Sequence, residues 1–513
     1  MRRIIIPLVL LFIIIGIGRH LDRNATPGSS SQGSNGRVLV VALPETPETL
    51  HPEEATKPAE MQVLRNVYEG LVRFAPGSTK VEPCLATAWE VSPDARRWTF
   101  QLRRNVIFHD GTPLTAEYVK MWAEKRMAAK DKYPYGNFIF GPIERVEVIN
   151  KNSVRFYLRY PYAPFIRNLA MLPAALTGPT QTEGLPAGTG PFRLAAPHPR
   201  QPVLTAFPHY WGPQPRADVI TFKVIPEEKQ RLAMAAQGKV DIANDVTPQK
   251  TPTGAGYYIK EGTGLSTGYL GFYTDKPPFD NPQLRRAICY AIDRRALVNK
   301  LFRYSAVPAC GPIPPGVLGY DDALECHPYD PEKAMRLIEE TGWSDRSVTI
   351  ITYHGPRPYN PAGGPSLAAA IRDQLELVGI EVKIIVYPWK ECKAAIHRRE
   401  GDLFLYGWVS DNGDPDNFTY NLLATSQIEC GLNTARYANP EADLLMAQAQ
   451  QTTDEETRAS LYHKAQEIII RDAPWICLNY GLRAVALHSD IERYIFQPSG
   501  GAYLNLVSKR EWR

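Results

Sequence analysis

No stretch of the sequence holds 18 unbroken apolar residues, which excludes a protein that crosses a membrane many times. Seven Cys and ten His are scattered without a C-x-x-C pair or a His/Cys cluster, so no set of zinc ligands stands out. No Gly-x-y period accompanies the 45 Pro and 37 Gly, which rules out a collagen. Charge of one sign is also missing. The formal net charge of +4 comes from 58 Lys plus Arg against 54 Asp plus Glu. Residues 1–36 supply most of it, with Arg2, Arg3, Arg19 and Arg23 against Asp22, and the rest of the chain carries only +1. A nucleic-acid partner would need a basic footprint that this body lacks. What is present, 44% hydrophobic and 22% charged residues, excludes bulk disorder, and 513 residues call for two or more domains.

Arg2 and Arg3 precede the apolar run Ile4 to Gly18, the layout of an export signal and short for a spanning helix. Gly16-Ile17-Gly18 is the one small-x-small site near its end, and no Cys follows for lipid attachment. Residues 1–23 are therefore expected to be a signal peptide or an uncleaved membrane anchor, and 24–36 a flexible linker with an r.m.s. span of about 20 Å. An odd number of Cys in an exported chain leaves at least one unpaired. Cys310 and Cys326 flank the Pro/Gly-rich Gly311–Gly316 and are the expected disulfide; Cys289 and Cys477 lie in apolar patterns and read as buried thiols.

Val38 to Leu43 is an apolar strand, followed by the turn Pro44-Glu-Thr46-Pro47. Segments 98–108 and 145–158 alternate as half-buried strands do, and Thr115 caps a helix from Ala116 to about Ala129, so 72–187 reads as an α+β insert. From Asp280 helices and strands alternate. Strand 348–353, a helix with Ile371, Leu375 and Val378 on one face, and strand 380–386 form a β-α-β unit with parallel strands. Strand 403–408, a helix near 455–471 and strand 475–480 follow.

Ligands of parallel sheets bind where the strands end. Two polar loops stand there: His354 to Pro361 after strand 348–353, and Asp411 to Asn417 after strand 403–408. Arg357, between two prolines, offers a pre-ordered planar fork for a carboxylate, and Asp411 the opposite charge. Together they suit a zwitterion such as a short peptide; the alternative is that they pair with each other or face solvent. Gly264-Leu-Ser266-Thr-Gly268 fits the hydrolase G-x-S-x-G pattern, but a strand-like segment follows where a helix is required, so Ser266 is expected in a turn and no catalytic residue is assigned. The 411–417 loop lacks the Gly and terminal acid of a calcium loop, and Gly238-Lys239 lacks the rest of a phosphate loop, so no metal or cofactor is expected.

Tyr68-Glu-Gly-Leu71, Leu85-Ala-Thr-Ala-Trp89, Phe108-His-Asp-Gly-Thr112, Gly188-Thr-Gly-Pro-Phe192 and Tyr210-Trp-Gly212 together resemble the family 5 extracellular solute-binding proteins of ABC importers, from about residue 38 to the C-terminus. Arg357-Pro-Tyr-Asn-Pro361 and Asp411 to Phe418 are similar to the dipeptide-binding branch, which also includes haem and glutathione binders. The resemblance implies an α/β fold of the periplasmic binding protein-like type II, with two lobes joined by a two-crossing hinge and an extra α+β insert in the N-terminal lobe. It divides the chain into lobe I (37–71, 188–273 and 482–513), the insert (72–187) and lobe II (274–481). It also implies that Arg357 holds the ligand carboxylate and Asp411 its ammonium, with Tyr359, Trp389, Trp408 and Thr46 at the same pocket. The implied role is that of a non-enzymatic, monomeric receptor outside the cytoplasm, tethered through its N-terminus, that passes short peptides to an ABC permease and ATPase. A ligand-presenting sensor is the alternative use of the same fold. The missing lipid-attachment Cys, the different spacing around Cys430 and the Cys310/Cys326 pair depart from the dipeptide branch.

Overall fold

Val38–Leu43, apolar along its whole length, is a central strand, paired in parallel with Val219–Val224 on one side and Ile242–Val246 on the other. A strand covered on both faces reads as a continuous apolar run, which is why alternation is absent there. The structure, a computed structural model, describes residues 36–512 apart from 180, 183, 197 and 199. The expected export segment and nearly all of the linker lie outside the described residues. No helix among the described residues is long and apolar enough to cross a membrane.

One mixed sheet of eleven strands runs through the molecule. Its first half continues outward from Val219–Val224 through Val203–Ala206 to Phe192–Ala196, both antiparallel. In its second half Ser347–Tyr353 lies parallel between Glu381–Tyr387 and Leu403–Val409. The helix Gly364–Glu376 connects the first two, burying Leu367, Ile371 and Leu375 as expected of the β-α-β unit. Gly379, at a φ of 80°, turns the chain out of that helix into the next strand, a left-handed conformation that disfavours residues with a Cβ.

Two long strands join the halves. Tyr257–Phe272 and Trp475–His488 pair antiparallel along most of their length, and each belongs to both halves of the sheet. They are the two crossings between two lobes. The second extends eight residues beyond the expected 475–480, because Val485 and Leu487 continue the buried apolar side of the strand. Ser266, expected in a turn, lies within the first of them. The ladder is irregular between Thr263 and Thr267, yet the backbone stays extended. A nucleophile elbow needs a strand-to-helix turn at this Ser, and the strand runs on to Phe272.

The insert has its own four-stranded antiparallel sheet, Ala86–Val91, Arg97–Leu102, Ser153–Leu158 and Ile143–Asn150, packed on the helix Ala116–Ala128. Thr115 Oγ1 accepts the Tyr118 N–H at 3.1 Å and caps that helix. The alternating stretch 145–158 is a hairpin that turns at 151–152. Separate apolar cores lie in the insert (Trp98, Phe100, Phe156, Phe165), the N-terminal lobe (Leu39, Phe192, Phe222, Leu504) and the second lobe (Tyr269, Ile350, Leu375, Phe404). Several motifs quoted above meet at one buried carboxylate. Glu69 accepts from Thr189 Oγ1 at 3.0 Å, Tyr210 OH at 2.8 Å and Trp211 Nε1 at 2.8 Å. Burial raises its pKa, and these donors offset part of the rise.

Candidate functional site

The cleft between the lobes holds a cavity of about 660 Å³, and both Arg357 and Asp411 reach it. Arg357 sits at the tip of a tight loop closed by two backbone hydrogen bonds with Asn360, at 2.9 and 2.8 Å. Asn360 is itself fixed by donating its side-chain amide to Tyr353 OH at 3.1 Å. The guanidinium carbon lies over the Trp389 ring, 3.9 Å from its centroid, and that indole stacks on Tyr406 at an interplanar angle of 16°. Its Nε is buried without a hydrogen-bond partner, and no carboxylate pairs with it among the described residues. A desolvated guanidinium without a counter-charge is costly unless an anion arrives.

Asp411 faces the cavity from the other loop. It keeps an exposed surface, but the cleft walls around it displace enough water to raise its carboxyl above the usual range. The Tyr135 phenol, from the insert, donates to Asp411 Oδ1 at 2.8 Å and counteracts part of that rise. The alternative in which Arg357 and Asp411 pair with each other is not the arrangement found.

The other expected side chains stand elsewhere. Trp389 acts beneath Arg357 as a platform, outside the cavity wall. Tyr359 is buried, its ring packed against Gly407, where a Cβ would come within 2.3 Å of it. Trp408 is half-buried and donates Nε1 to Asn417 Oδ1 at 2.7 Å, bracing the acidic loop from behind. Thr46 is half-buried and is not among the residues of the cavity wall.

The acidic loop is held by its own polar side chains. Ser410 donates its N–H to Leu265 O at 2.7 Å, and the N–H groups of Gly413 and Asp414 are taken by Ser410 Oγ and Asn412 Oδ1. Asp414, fully buried, accepts Arg458 Nη1 and Nη2 at 3.1 and 2.9 Å and Arg167 Nη1 at 3.3 Å. Arg167 belongs to the insert, as does Asn168, whose Oδ1 accepts from Asn412 Nδ2 at 2.7 Å. The insert therefore closes on the second lobe through the same loop that presents Asp411. Sequence reasoning missed Tyr135, Arg167 and Asn168: each lies more than 240 residues from its partner, with no local pattern to mark it.

Cys310 and Cys326 are neighbouring free thiols, so the bridge expected between them is not formed. The single S–H of Cys310 has two acceptors to choose between, Leu324 O at 3.1 Å and the Cys326 sulfur. A hydrogen bond from Cys310, followed by the positive charge of Arg294, lowers the pKa of Cys326 despite its burial. Buried Cys289 and Cys477 are pushed up to about 12 by desolvation. At pH 7 iodoacetamide is expected to modify Cys326 before Cys310, Cys289 or Cys477, read by mass spectrometry of the digested protein. Earlier labelling of Cys310 would contradict this.

Residues 80–429 match the family model for bacterial extracellular solute-binding proteins, family 5, middle region. The chain belongs to this family. It is 31% identical to di/tripeptide-binding protein 2 of Pseudomonas aeruginosa, over 92% of this chain and 95% of that protein. It is 30% identical to heme-binding protein A of Haemophilus influenzae, over 85% of each chain. The solved structure of HbpA2 from Haemophilus parasuis superposes with a TM-score of 0.84 at 28% identity, covering 92% of this chain and all of that one. As a family 5 solute-binding protein of the dipeptide-binding branch, the chain is a ligand receptor in a family of proteins that act outside the cytoplasm, built on the two-lobed α/β fold with an insert in the N-terminal lobe.

Proposed function

We propose that this family 5 protein captures a short peptide between its lobes and hands it to an ABC permease and ATPase. The observation that carries this reading is the unpaired, partly desolvated Arg357 facing the same cavity as Asp411, one fork for a carboxylate and one carboxylate for an ammonium. In the proposed division, lobe I comprises 37–71, 188–273 and 482–513, the insert 72–187, and lobe II 274–481. Three separate apolar cores accord with three units, although Tyr269, Leu270 and Phe272, at the end of the lobe I range, pack in the core of the second lobe. Ligand entry displaces the Tyr135 phenol from Asp411, or shares the carboxylate with it, and the lobes close about the two crossings. Arg357 and Asp411 then each satisfy one charged end of the ligand, without which burying a zwitterion would be unfavourable. Export by residues 1–23, with or without retention as an anchor, belongs to the same proposal.

The relationship to a heme-binding protein favours haem as the second reading. Haem brings carboxylates but no ammonium, which would leave Asp411 buried without a counter-charge. Calorimetric titration of the protein with neutral dipeptides and with haem distinguishes the two. Micromolar or tighter dipeptide binding is expected; haem binding with no response to any peptide would overturn the reading.

A further inference from the structure

The cavity wall carries two more arginines than a zwitterion of two charges uses. Arg483 stands on the second crossing strand, half-buried and facing the cavity. Its stem lies over Gly264, where a Cβ would come within 3.3 Å of its Cγ, and its Nη1 lies beside Gly500, where a Cβ would come within 3.2 Å. Both glycines line the cavity, so the absence of two side chains makes the trough in which this guanidinium rests. Two residues earlier, a Cβ on Gly481 would meet the Pro358 carbonyl oxygen at 3.0 Å. Residues two apart on a strand share a face, about 6.6 Å apart, so Arg483 emerges one pleat beyond the contact with the Arg357 loop.

Arg65, buried at 7% exposure, also lines the cavity. It donates Nη1 to Ser499 Oγ at 3.1 Å and lies 5.4 Å from the Tyr503 ring. Neither Arg65 nor Arg483 is in an ion pair with a carboxylate among the described residues. The acidic side chains of the wall are engaged elsewhere. Glu228 accepts the Thr247 N–H at 3.0 Å and its hydroxyl at 2.9 Å, Asp411 accepts from Tyr135, and Asp245 and Glu228 both lie in the field of Arg231. The wall itself is balanced, Arg65, Arg357 and Arg483 against Glu228, Asp245 and Asp411, but two of those acids lie in the field of Arg231 outside it, and Arg65 and Arg483 face the cavity with no ion-pair partner among the described residues.

We infer that Arg483, with Arg65 beside the same space, forms a second anion subsite, and that the ligand is a short peptide with an acidic side chain. This rests on the peptide reading above. With the terminal carboxylate on Arg357 and the ammonium on Asp411, a side-chain carboxylate at Arg483 meets a cation that has no ion-pair partner among the described residues. It also gives a partly desolvated guanidinium a charge-assisted partner.

The test is calorimetric titration of the whole protein with two pairs of dipeptides that differ in charge but hardly in shape: Ala-Glu against Ala-Gln, and Glu-Ala against Gln-Ala. In the wild type, the acidic member of at least one pair is expected to bind about tenfold tighter or more, and tenfold higher salt to narrow the gap. In Arg483→Gln the preference should fall to within about twofold, while the affinity for the amide peptide stays within about twofold of wild type. Arg483→Lys should retain part of the preference. Equal affinities for acid and amide in the wild type would overturn this inference and leave the peptide reading standing. So would an Arg483→Gln variant that weakens both members of a pair equally. Failure of all four peptides to bind would overturn the peptide reading and this inference together.

Discussion

Replacing Arg357 by Ala is expected to cost about 3–5 kcal/mol of dipeptide affinity, about two to three and a half orders of magnitude in Kd. The size follows from the setting of the side chain. Its Nε is buried and unpaired, its face is covered by Trp389, and its loop is fixed by Asn360 before any ligand arrives. Little ordering is left for binding to impose, so the fork meets a carboxylate at low entropic cost. Removing the fork leaves that carboxylate buried in the closed cleft without a partner. Arg357→Lys keeps the charge but loses both the bidentate geometry and the guanidinium's contact with the indole, and should fall between the two. Calorimetry with a neutral dipeptide measures the series. Affinity unchanged in Arg357→Ala would remove this residue from the site.

The second large effect concerns stability. Asp414→Ala should destabilise the protein by about 3–5 kcal/mol, read as a drop in melting temperature by scanning calorimetry. Arg458 and Arg167, whose side chains are 2% and 4% exposed, would lose the carboxylate they share, and Arg458 would keep no ion pair among the described residues, only the more distant charge of Asp416. Arg167 retains Glu455 at 3.0 Å, so the larger part of the loss falls on Arg458. Burial alone would raise the pKa of Asp414, but Arg458 and then Arg167 outweigh it and hold it below the usual range. Its contribution is therefore present above the unfolded value near 3.9 and is lost as pH falls through the folded one. Asp416, two residues on, behaves in the opposite sense. Burial first, then the charge of Asp414, pushes it up to about 7. Between pH 4 and 7 the folded state holds a proton there that the unfolded state has released, so this group favours folding at low pH and opposes it increasingly as pH rises. A melting temperature that falls from pH 5 to pH 8 in the wild type should vary less in Asp416→Asn. An Asp414→Ala variant that melts with the wild type would show that the buried ion cluster contributes little to stability.

The parts of this fold that could be read beforehand are those whose physics is local. The β-α-β unit around Ile371 and Leu375 announces itself by helical spacing, a Gly stop and alternating Ile and Val, and it forms where expected. Arg357 and Asp411 were legible because each sits on a polar loop directly after an apolar strand, the place where such sheets bind ligands. Several of the motifs that carry the family resemblance are legible for another reason: residues from Tyr68–Leu71, Gly188–Phe192 and Tyr210–Gly212 meet at the buried Glu69, which is not part of the ligand cavity wall. What escaped is long-range. Tyr135 meets Asp411 across 276 residues, and Arg167 meets Asp414 across 247, because the insert folds back over the second lobe. Trp389 was marked as a pocket residue, and its place beneath a guanidinium depends on how two strands bring Tyr406 behind it. A residue's type gives its chemistry; whether it touches the ligand or supports one that does depends on which layer the fold assigns it.

The irregular step in the first crossing strand has a mechanical consequence. The pairing of the two crossings shifts register between Thr263 and Thr267, a bulge that offers the ribbon a place to bend. Gly264, Leu265 and Ser266, the residues of that step, are also part of the cavity wall. In the proposed binding mode the ligand rests on the fulcrum itself and not at the far end of a lever. A small rotation at this step displaces the distant rims of both lobes by many ångströms while hardly disturbing the atoms the ligand first touches. If the lobes close as proposed, docking can begin on a surface that hardly changes between the open and the closed states.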